Sequence, residues 1–308
     1  MGAAHESFTQ LEQGNKIKGN LINYCEFVGH IAKMYSILHN VSIDKNLGDI
    51  TQVDESKLDD FDLMIYGFPC TDVSMLGSQT GFFDEDGNLT RSGLLFEALR
   101  IAKHKQPKIL IAENVKALVN RNNKENFELM ISELDSMGYN SYWKIMDAKK
   151  YGIPHSRQRV FIVSIRKDID DEKYEFPIEV ELNTIASDYY DDDKYINDEL
   201  YLNEHQIQMY AKNAMRLKKQ YSSLNRDIII CQTTKQGQVS NPQNFVEDNR
   251  GVRIMSGNED LKLQGFRNGC GLKLLKNGFT TAQIGFVSGN SLCVSIMKKL
   301  IISVEKYI

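Results

Sequence analysis

The sequence predicts an α/β fold, a sheet with helices on both of its faces. Two observations carry this. Short, near-continuous apolar runs such as "DLMIYGF" and "PKILIAENV" read as strands buried on both sides. Between them lie segments with apolar residues at helical spacing, so strand and helix alternate through the first two-thirds of the chain. Taken in order, "NLINYCEF" reads as a strand and "GHIAKMYSILH" as a helix, and the strand "DLMIYGF" follows. "SGLLFEALRIAKH" sets Leu94, Leu95, Ala98, Leu99 and Ala102 at helical spacing. After the strand "PKILIAENV" comes the helix "ENFELMISELDSMG", closed by Gly138, and then the strands "SYWKIMDA" and "RVFIVSIR". In such sheets ligands sit beyond the carboxyl ends of the strands. Cys70 and the Glu113-Asn114 pair both fall at such ends.

The alternation stops after about Lys167. Ser187–Glu199, "SDYYDDDKYINDE", is acidic and tyrosine-rich and reads as linker or surface. "HQIQMYAKNAMRLKKQY" reads as a helix with Ile207, Tyr210, Ala214 and Leu217 on one face and Lys212, Arg216 and Lys219 on the other. A solvated face explains those cations, and so does a stripe that meets phosphates. "KQGQVSNPQNFVEDNRG" reads as loop, and "GNSLCVSIMKKLIISVEKY" as a last helix.

Composition narrows the class. A chain of 308 residues can bury a sizeable core. Its apolar runs are far shorter than the ~20 residues of a membrane span. The first apolar residues are scattered among His, Glu, Gln and Lys, unlike a signal peptide. The five cysteines, Cys25, Cys70, Cys231, Cys270 and Cys293, are odd in number and form no CxxC pair. A disulfide framework and a structural zinc site are therefore not expected, and a reducing, cytoplasmic location is. The net charge of −4 tells against a whole-surface nucleic-acid binder but allows a local basic groove.

The chemistry gathers at four short stretches. In "GFPCTDVS" a proline precedes Cys70 and restricts the direction in which the thiol approaches. A thiol in a ligand crevice can attack an electrophilic carbon, although a lone cysteine is more often an inert buried one. "AENVKAL" places Glu113 and Asn114 at the end of the next strand, where a helix cap is the plain alternative. "IPHSRQRVFIV" places Arg157 and Arg159 two apart and so on one face, where a charged strand edge is the plain alternative. Together a nucleophile, a carboxyl and two guanidiniums suit attack on a heteroaromatic ring.

"GFPCTDVS", "ENV" and "SRQRV", in this order, resemble the blocks of the C5-cytosine DNA methyltransferases. "CEF", "GDI", "RSGLLFEALRI", "KLQGF" and the terminal "SGNSLCV" extend the resemblance over nearly the whole chain. It implies a Rossmann-like S-adenosylmethionine-dependent methyltransferase sheet with a small, loop-rich target-recognition domain. The expected division is 1–183 with 284–308 for catalysis and cofactor, and 184–283 for target recognition. It also implies roles. Cys70 adds to C6 of a flipped-out cytosine, Glu113 bonds N3, Arg159 holds O2, Arg157 orients Glu113 or the DNA backbone, and Asn114 orients the Cys70 loop. Gly2, Glu26, Phe27, Asp49, Ile50, Pro69, Leu94, Asn290 and Ser291 are implied around S-adenosyl-L-methionine. Ser74 and the loop to about Asp86 are implied to close over duplex DNA. Lys212, Arg216, Lys219, Arg226, Lys235, Arg250 and Arg253 are the candidates for DNA contact, and no metal or membrane is implied. A role in restriction–modification or phage defence follows.

The start departs from the pattern. The family opens with an apolar strand and a Phe-x-Gly-x-Gly turn, whereas this chain opens "MGAAHESF", with Gly2 matching the last glycine. The expectation is a truncated or mis-called start; the alternatives are a complementing polypeptide or an inactive chain. Two other functions stay open: a tRNA cytosine methyltransferase on the same scaffold, and a non-catalytic DNA-binding subunit. An α/β oxidoreductase ranks last, because no GxGxxG turn follows a strand.

Overall fold

The computed structural model describes residues 2–72, 81–216, 224–241 and 243–308, with the side chain of Arg216 outside that set. The first part of the chain forms α1 (Ala3–Gln13), α2 (Gly29–His39), β1 (Leu63–Gly67), α3 (Leu95–Lys105), β2 (Ile109–Val115), α4 (Lys124–Ser136), β3 (Tyr139–Asp147), β4 (His155–Ser156) and β5 (Gln158–Arg166). The rest forms α5 (Glu204–Arg216), β6 (Ile229–Ile230), β7 (Val246–Asp248), β8 (Gly251–Arg253), α6 (Gly257–Lys262), α7 (Cys270–Lys276), α8 (Thr281–Gly289) and α9 (Val294–Val304).

The main sheet has the order β1-β2-β5-β3. β1 and β2 are parallel, and β5 runs antiparallel to both β2 and β3. Alternation along the two central strands gives the sheet two apolar faces. Ile109 and Ile111 of β2 join Phe161, Val163 and Ile165 of β5 under Leu11 of α1 and Ile296, Met297 and Leu300 of α9. Leu110, Ala112, Val160 and Ile162 face the other way, under Leu95, Ala98 and Leu99 of α3 and Met130 and Leu134 of α4. This is why the central strands read as unbroken apolar runs.

Three expectations change. β1 is mostly half-buried rather than buried on both sides, because it is the edge of the sheet: its outer edge pairs with no strand among the described residues. "NLINYCEF" makes a single bridge, Tyr24 to Asn46, instead of a strand. The Asn46 side chain takes the ladder's place there, accepting from the Glu26 N–H at 2.9 Å and donating to the Glu26 carbonyl at 3.0 Å. The acidic stretch is partly core. Within it Ile196 is buried, as are Ala186 and Leu200 on either side, and the Asp191 carboxylate binds Ser256 Oγ, Asn258 Nδ2 and Lys262 Nζ.

Beyond β5 a second set of elements carries its own small cluster of Ala186, Ile229, Val246, Met255 and Leu263. β6 pairs in parallel with β4, and β7 with β8 as a hairpin. Residues 257–283, assigned above to the target-recognition segment, pack both on this cluster, through Leu263, and on α2. Leu261 and Leu274 share a cluster with Ile31, Met34 and Leu38 of α2. α6 and α7 are themselves closely packed: a Cβ on Gly271 would lie 2.3 Å from Asn258 Cα.

Candidate active site

The sheet brings three ends together. β1 ends at Gly67, opposite Glu113 in the parallel register, and the chain continues through Phe68 and Pro69 to Cys70. Arg159 lies near the start of β5, opposite Val115. Arg159 Nε is 3.2 Å from Glu113 Oε1, with the two side chains only 16% and 14% exposed. Burial pushes the Glu113 carboxyl up from its ordinary value of 4.5, and the charges of Arg159 and Arg157 only partly offset it. Burial also pushes the half-buried Cys70 thiol up, opposed first by the charge of Arg159. One guanidinium thus acts on both groups.

Two side chains fix the Cys70 loop. Asn114, buried, donates from Nδ2 to the Phe68 carbonyl at 3.1 Å and accepts from the Val115 N–H at 2.7 Å. Ser92 was not singled out in the sequence. Fully buried before α3, it donates to the Pro69 carbonyl at 2.7 Å and accepts from the Asp72 N–H at 3.2 Å. The Asp72 carboxylate accepts from the Ser92 N–H at 2.9 Å in return. The signal that could have found it was a serine at a helix start facing a nucleophile loop.

Arg157 differs from its expected role. It has no direct bond to Glu113 and no exposed face for a DNA backbone. Burial and the neighbouring Arg159 charge lower its pKa, and its guanidinium donates to three carbonyls: Gln232 at 2.9 Å, Gly289 at 2.9 Å and Ser291 at 2.7 Å. It therefore ties the segment after β6 to the loop after α8. His155 assists: its Nε2 accepts from the Gln232 N–H at 3.0 Å while Nδ1 meets the Leu263 carbonyl at 3.0 Å. The bonding assigns a neutral ring protonated on Nδ1, and burial holds its pKa well below the usual value.

The residues expected around the cofactor lie as follows. Gly2 precedes α1 in the left-handed conformation, φ 78°, packed against the rings of Tyr35 and His39. Glu26 accepts from the Val28 N–H at 2.9 Å, and the Phe27 ring is 75% exposed. Asp49 accepts from the Thr51 N–H at 3.0 Å, and the Ile50 carbonyl accepts from Arg100 Nη2 at 3.1 Å. Pro69 and Asn290 are exposed and Leu94 is half-buried. Ser291 is buried, with its carbonyl engaged by Arg157.

The DNA candidates separate. Lys212 and Lys235 are exposed, and Arg226 is half-buried. Ser74, Lys219 and the side chain of Arg216 lie outside the described residues. Arg253 is 3% exposed, with its guanidinium bound to Glu259 at 2.8 Å and Asp248 at 3.1 Å, so it cannot reach a phosphate. Arg250 is exposed, paired with Asp193 at 2.6 Å and 4.6 Å from the Tyr201 ring. A cavity of about 540 Å³ lies among these groups, lined by residues including Ser187, Asp227 and Arg253, apart from Cys70. Among the described residues no cluster of His, Cys, Asp and Glu could hold a metal ion, and no single helix is long and apolar enough to cross a membrane.

A mixed sheet between helical layers, with the thiol and its ionic neighbours at the strand ends, defines a Rossmann-like methyltransferase fold. Solved structures bear this out. The Entamoeba histolytica methyltransferase EhMeth superposes with a TM-score of 0.76 at 17% identity, covering 98% of this chain and 94% of that one. The S. pombe Dnmt2 methyltransferase gives 0.73 at 18%, covering 99% and 95%. The family follows from sequence: the model of the C-5 cytosine-specific DNA methylases matches residues 10–306, and the chain belongs to that family. The type II methyltransferase M2.ScrFI of Lactococcus lactis subsp. cremoris is 41% identical over 165 residues, 54% of this chain and 44% of the relative. M.HaeII of Haemophilus aegyptius is 28% identical over 263 residues, 83% of this chain and 78% of the relative. The chain thus matches less than half the length of the first relative and most of the second.

Proposed function

We propose that the protein transfers a methyl group from S-adenosyl-L-methionine to C5 of a cytosine flipped out of duplex DNA, as the modification enzyme of a type II restriction system. The observation that carries this reading is the Glu113–Arg159 pair, 3.2 Å apart, with Cys70 coupled electrostatically to both. The ring carbons are unreachable inside the base stack, so the base is extruded. The Cys70 thiolate adds to C6. The Glu113 carboxyl, whose hold on a proton burial strengthens, gives a proton to N3, and Arg159 donates to O2, so that the electron pair displaced by sulfur rests on C5. Bound S-adenosylmethionine supplies an electrophilic methyl carbon to that position. Loss of the C5 proton to water restores the double bond and expels Cys70, and the N3 proton returns to Glu113.

The residues present suit that cofactor. The N-terminus of α1 at Gly2 offers unpaired N–H groups to a carboxylate. The Glu26 carboxylate suits ribose hydroxyls, and the exposed Phe27 ring suits a flat base laid over it. Asp49 and Ile50 serve the adenine edge, with Pro69, Leu94, Asn290 and Ser291 as the remaining wall. Residues 184–256 form the target-recognition segment, where Lys212 and Lys235 meet phosphates. The test supplies S-adenosylmethionine labelled on its methyl group together with duplex DNA or with tRNA. Label in DNA cytosine is expected. Label in tRNA alone would make the protein the RNA-directed relative, and bound cofactor with label in neither would make it a non-catalytic subunit.

A further inference from the structure

Cys231 lies where the target-recognition segment meets the arginines, and nothing in the mechanism above uses it. Its place follows from a short ladder. β4 and β6 pair in parallel, His155 with Ile229 and Ser156 with Ile230, so the next residues of the two chains, Arg157 and Cys231, come side by side. The sulfur then lies 3.5 Å from Arg157 Nη1 and 3.6 Å from Arg159 Nη2. Its own S–H points to the Gln232 carbonyl at 3.5 Å, which leaves the sulfur lone pairs to the guanidiniums.

Arg159 is held on three sides. Nε meets Glu113 at 3.2 Å, Nη1 donates to the Gln158 carbonyl at 2.8 Å, and Nη2 donates to Cys231. The first two holds come from the sheet itself. The third comes from the target-recognition segment and fixes the second terminal nitrogen of the fork, which the sheet's two holds leave to turn. We propose that Cys231 is a positioning residue for methyl transfer, holding the Arg159 guanidinium in place against Glu113 and the incoming base. Sulfur suits this task. It is a weak acceptor, so it steers the guanidinium without neutralising the charge needed at the base, as a carboxylate there would. Through this contact, any shift of the segment on either side of β6 reaches the chemistry directly.

The inference rests on the function proposed above, and its test therefore has one arm that needs neither DNA nor cofactor. The full chain is treated with iodoacetamide across a pH series, and alkylation of the Cys70 peptide is followed by mass spectrometry in wild type, Cys231→Val and Cys231→Ser. Valine fills the space without an acceptor and serine keeps one. The pH midpoint for Cys70 is expected to rise in Cys231→Val, because a guanidinium released at Nη2 spends less time where its charge favours the thiolate, and to stay near wild type in Cys231→Ser. In the methyl-transfer assay, Cys231→Val is expected to lose roughly tenfold in kcat, the weight of one hydrogen bond to a charged group, at unchanged KM for S-adenosylmethionine. Identical Cys70 midpoints in wild type and Cys231→Val would overturn the inference. A wild-type chain that methylates nothing would count against the functional reading alone, since the alkylation arm still decides the position of Arg159.

Discussion

Replacing Ser92 by alanine tests how the nucleophile is held. The hydroxyl bonds both sides of the Cys70 turn, donating to the carbonyl of Pro69 and accepting from the N–H of Asp72. The side chain is fully buried, and loss of one oxygen opens no cavity worth counting, so the cost is that of the two hydrogen bonds. At ~1 kcal/mol each this is about 2 kcal/mol. A chain of 308 residues gains roughly 0.65 kcal/mol per kelvin of entropy on unfolding, so Tm falls by about 3 °C. If the same energy appears as misplacement of Cys70 in the transition state, kcat falls about thirtyfold. Differential scanning fluorimetry and steady-state methyl transfer measure the two effects, with KM for S-adenosylmethionine expected to stay within about twofold. Unchanged Tm together with unchanged kcat would refute the argument that Ser92 fixes the loop.

Two further outcomes follow. Glu113→Gln removes the proton given to N3, and methyl transfer falls by roughly a hundredfold to ten-thousandfold. The folded pKa of Glu113 is raised, so the protonated form's stabilising effect is complete below the unfolded pKa and is lost as pH rises through the folded one. The Tm of Glu113→Gln relative to wild type is therefore expected to rise from pH 4 to pH 8, as thermal scans across that range would show. Arg157→Met strands the carbonyls of Gln232, Gly289 and Ser291. Relief of a buried charge offsets part of the loss, and a net fall of about 2–4 kcal/mol in urea unfolding is expected, with weaker S-adenosylmethionine binding by calorimetry because the loop after α8 is released.

Much of the fold was legible because burial on both faces forces a pattern. The buried middles of β2 and β5, residues 109–112 and 160–163, are apolar at every position, and α2, α3 and α4 must show one apolar stripe, so they stood out. β1 carried the same pattern, yet it lies at an edge, and pairing depends on neighbours that a local run of residues does not encode. The acidic stretch before α5 misled for a related reason. Its charges suggested solvent, but Asp191 is buried against Lys262, Ser256 and Asn258, partners about 65 or more positions away in sequence. The meeting of Glu113 with Arg159 was legible through motif order. The bonds of Arg157 were not, because three of its acceptors are backbone carbonyls, which any residue type provides. Arg250 and Arg253 looked like free cations for the same reason that Ser92 and Cys231 looked idle: contacts formed by folding leave no mark on spacing.

The most direct measurement of the central claim is covalent trapping. A duplex in which every cytosine is 5-fluorocytosine is incubated with the protein and S-adenosylmethionine, and the products are mapped by mass spectrometry. Fluorine cannot leave as the C5 proton does, so a stable adduct is expected at Cys70 and is expected to disappear in Cys70→Ala. No adduct with cofactor bound, or an adduct on a different residue, would contradict the account.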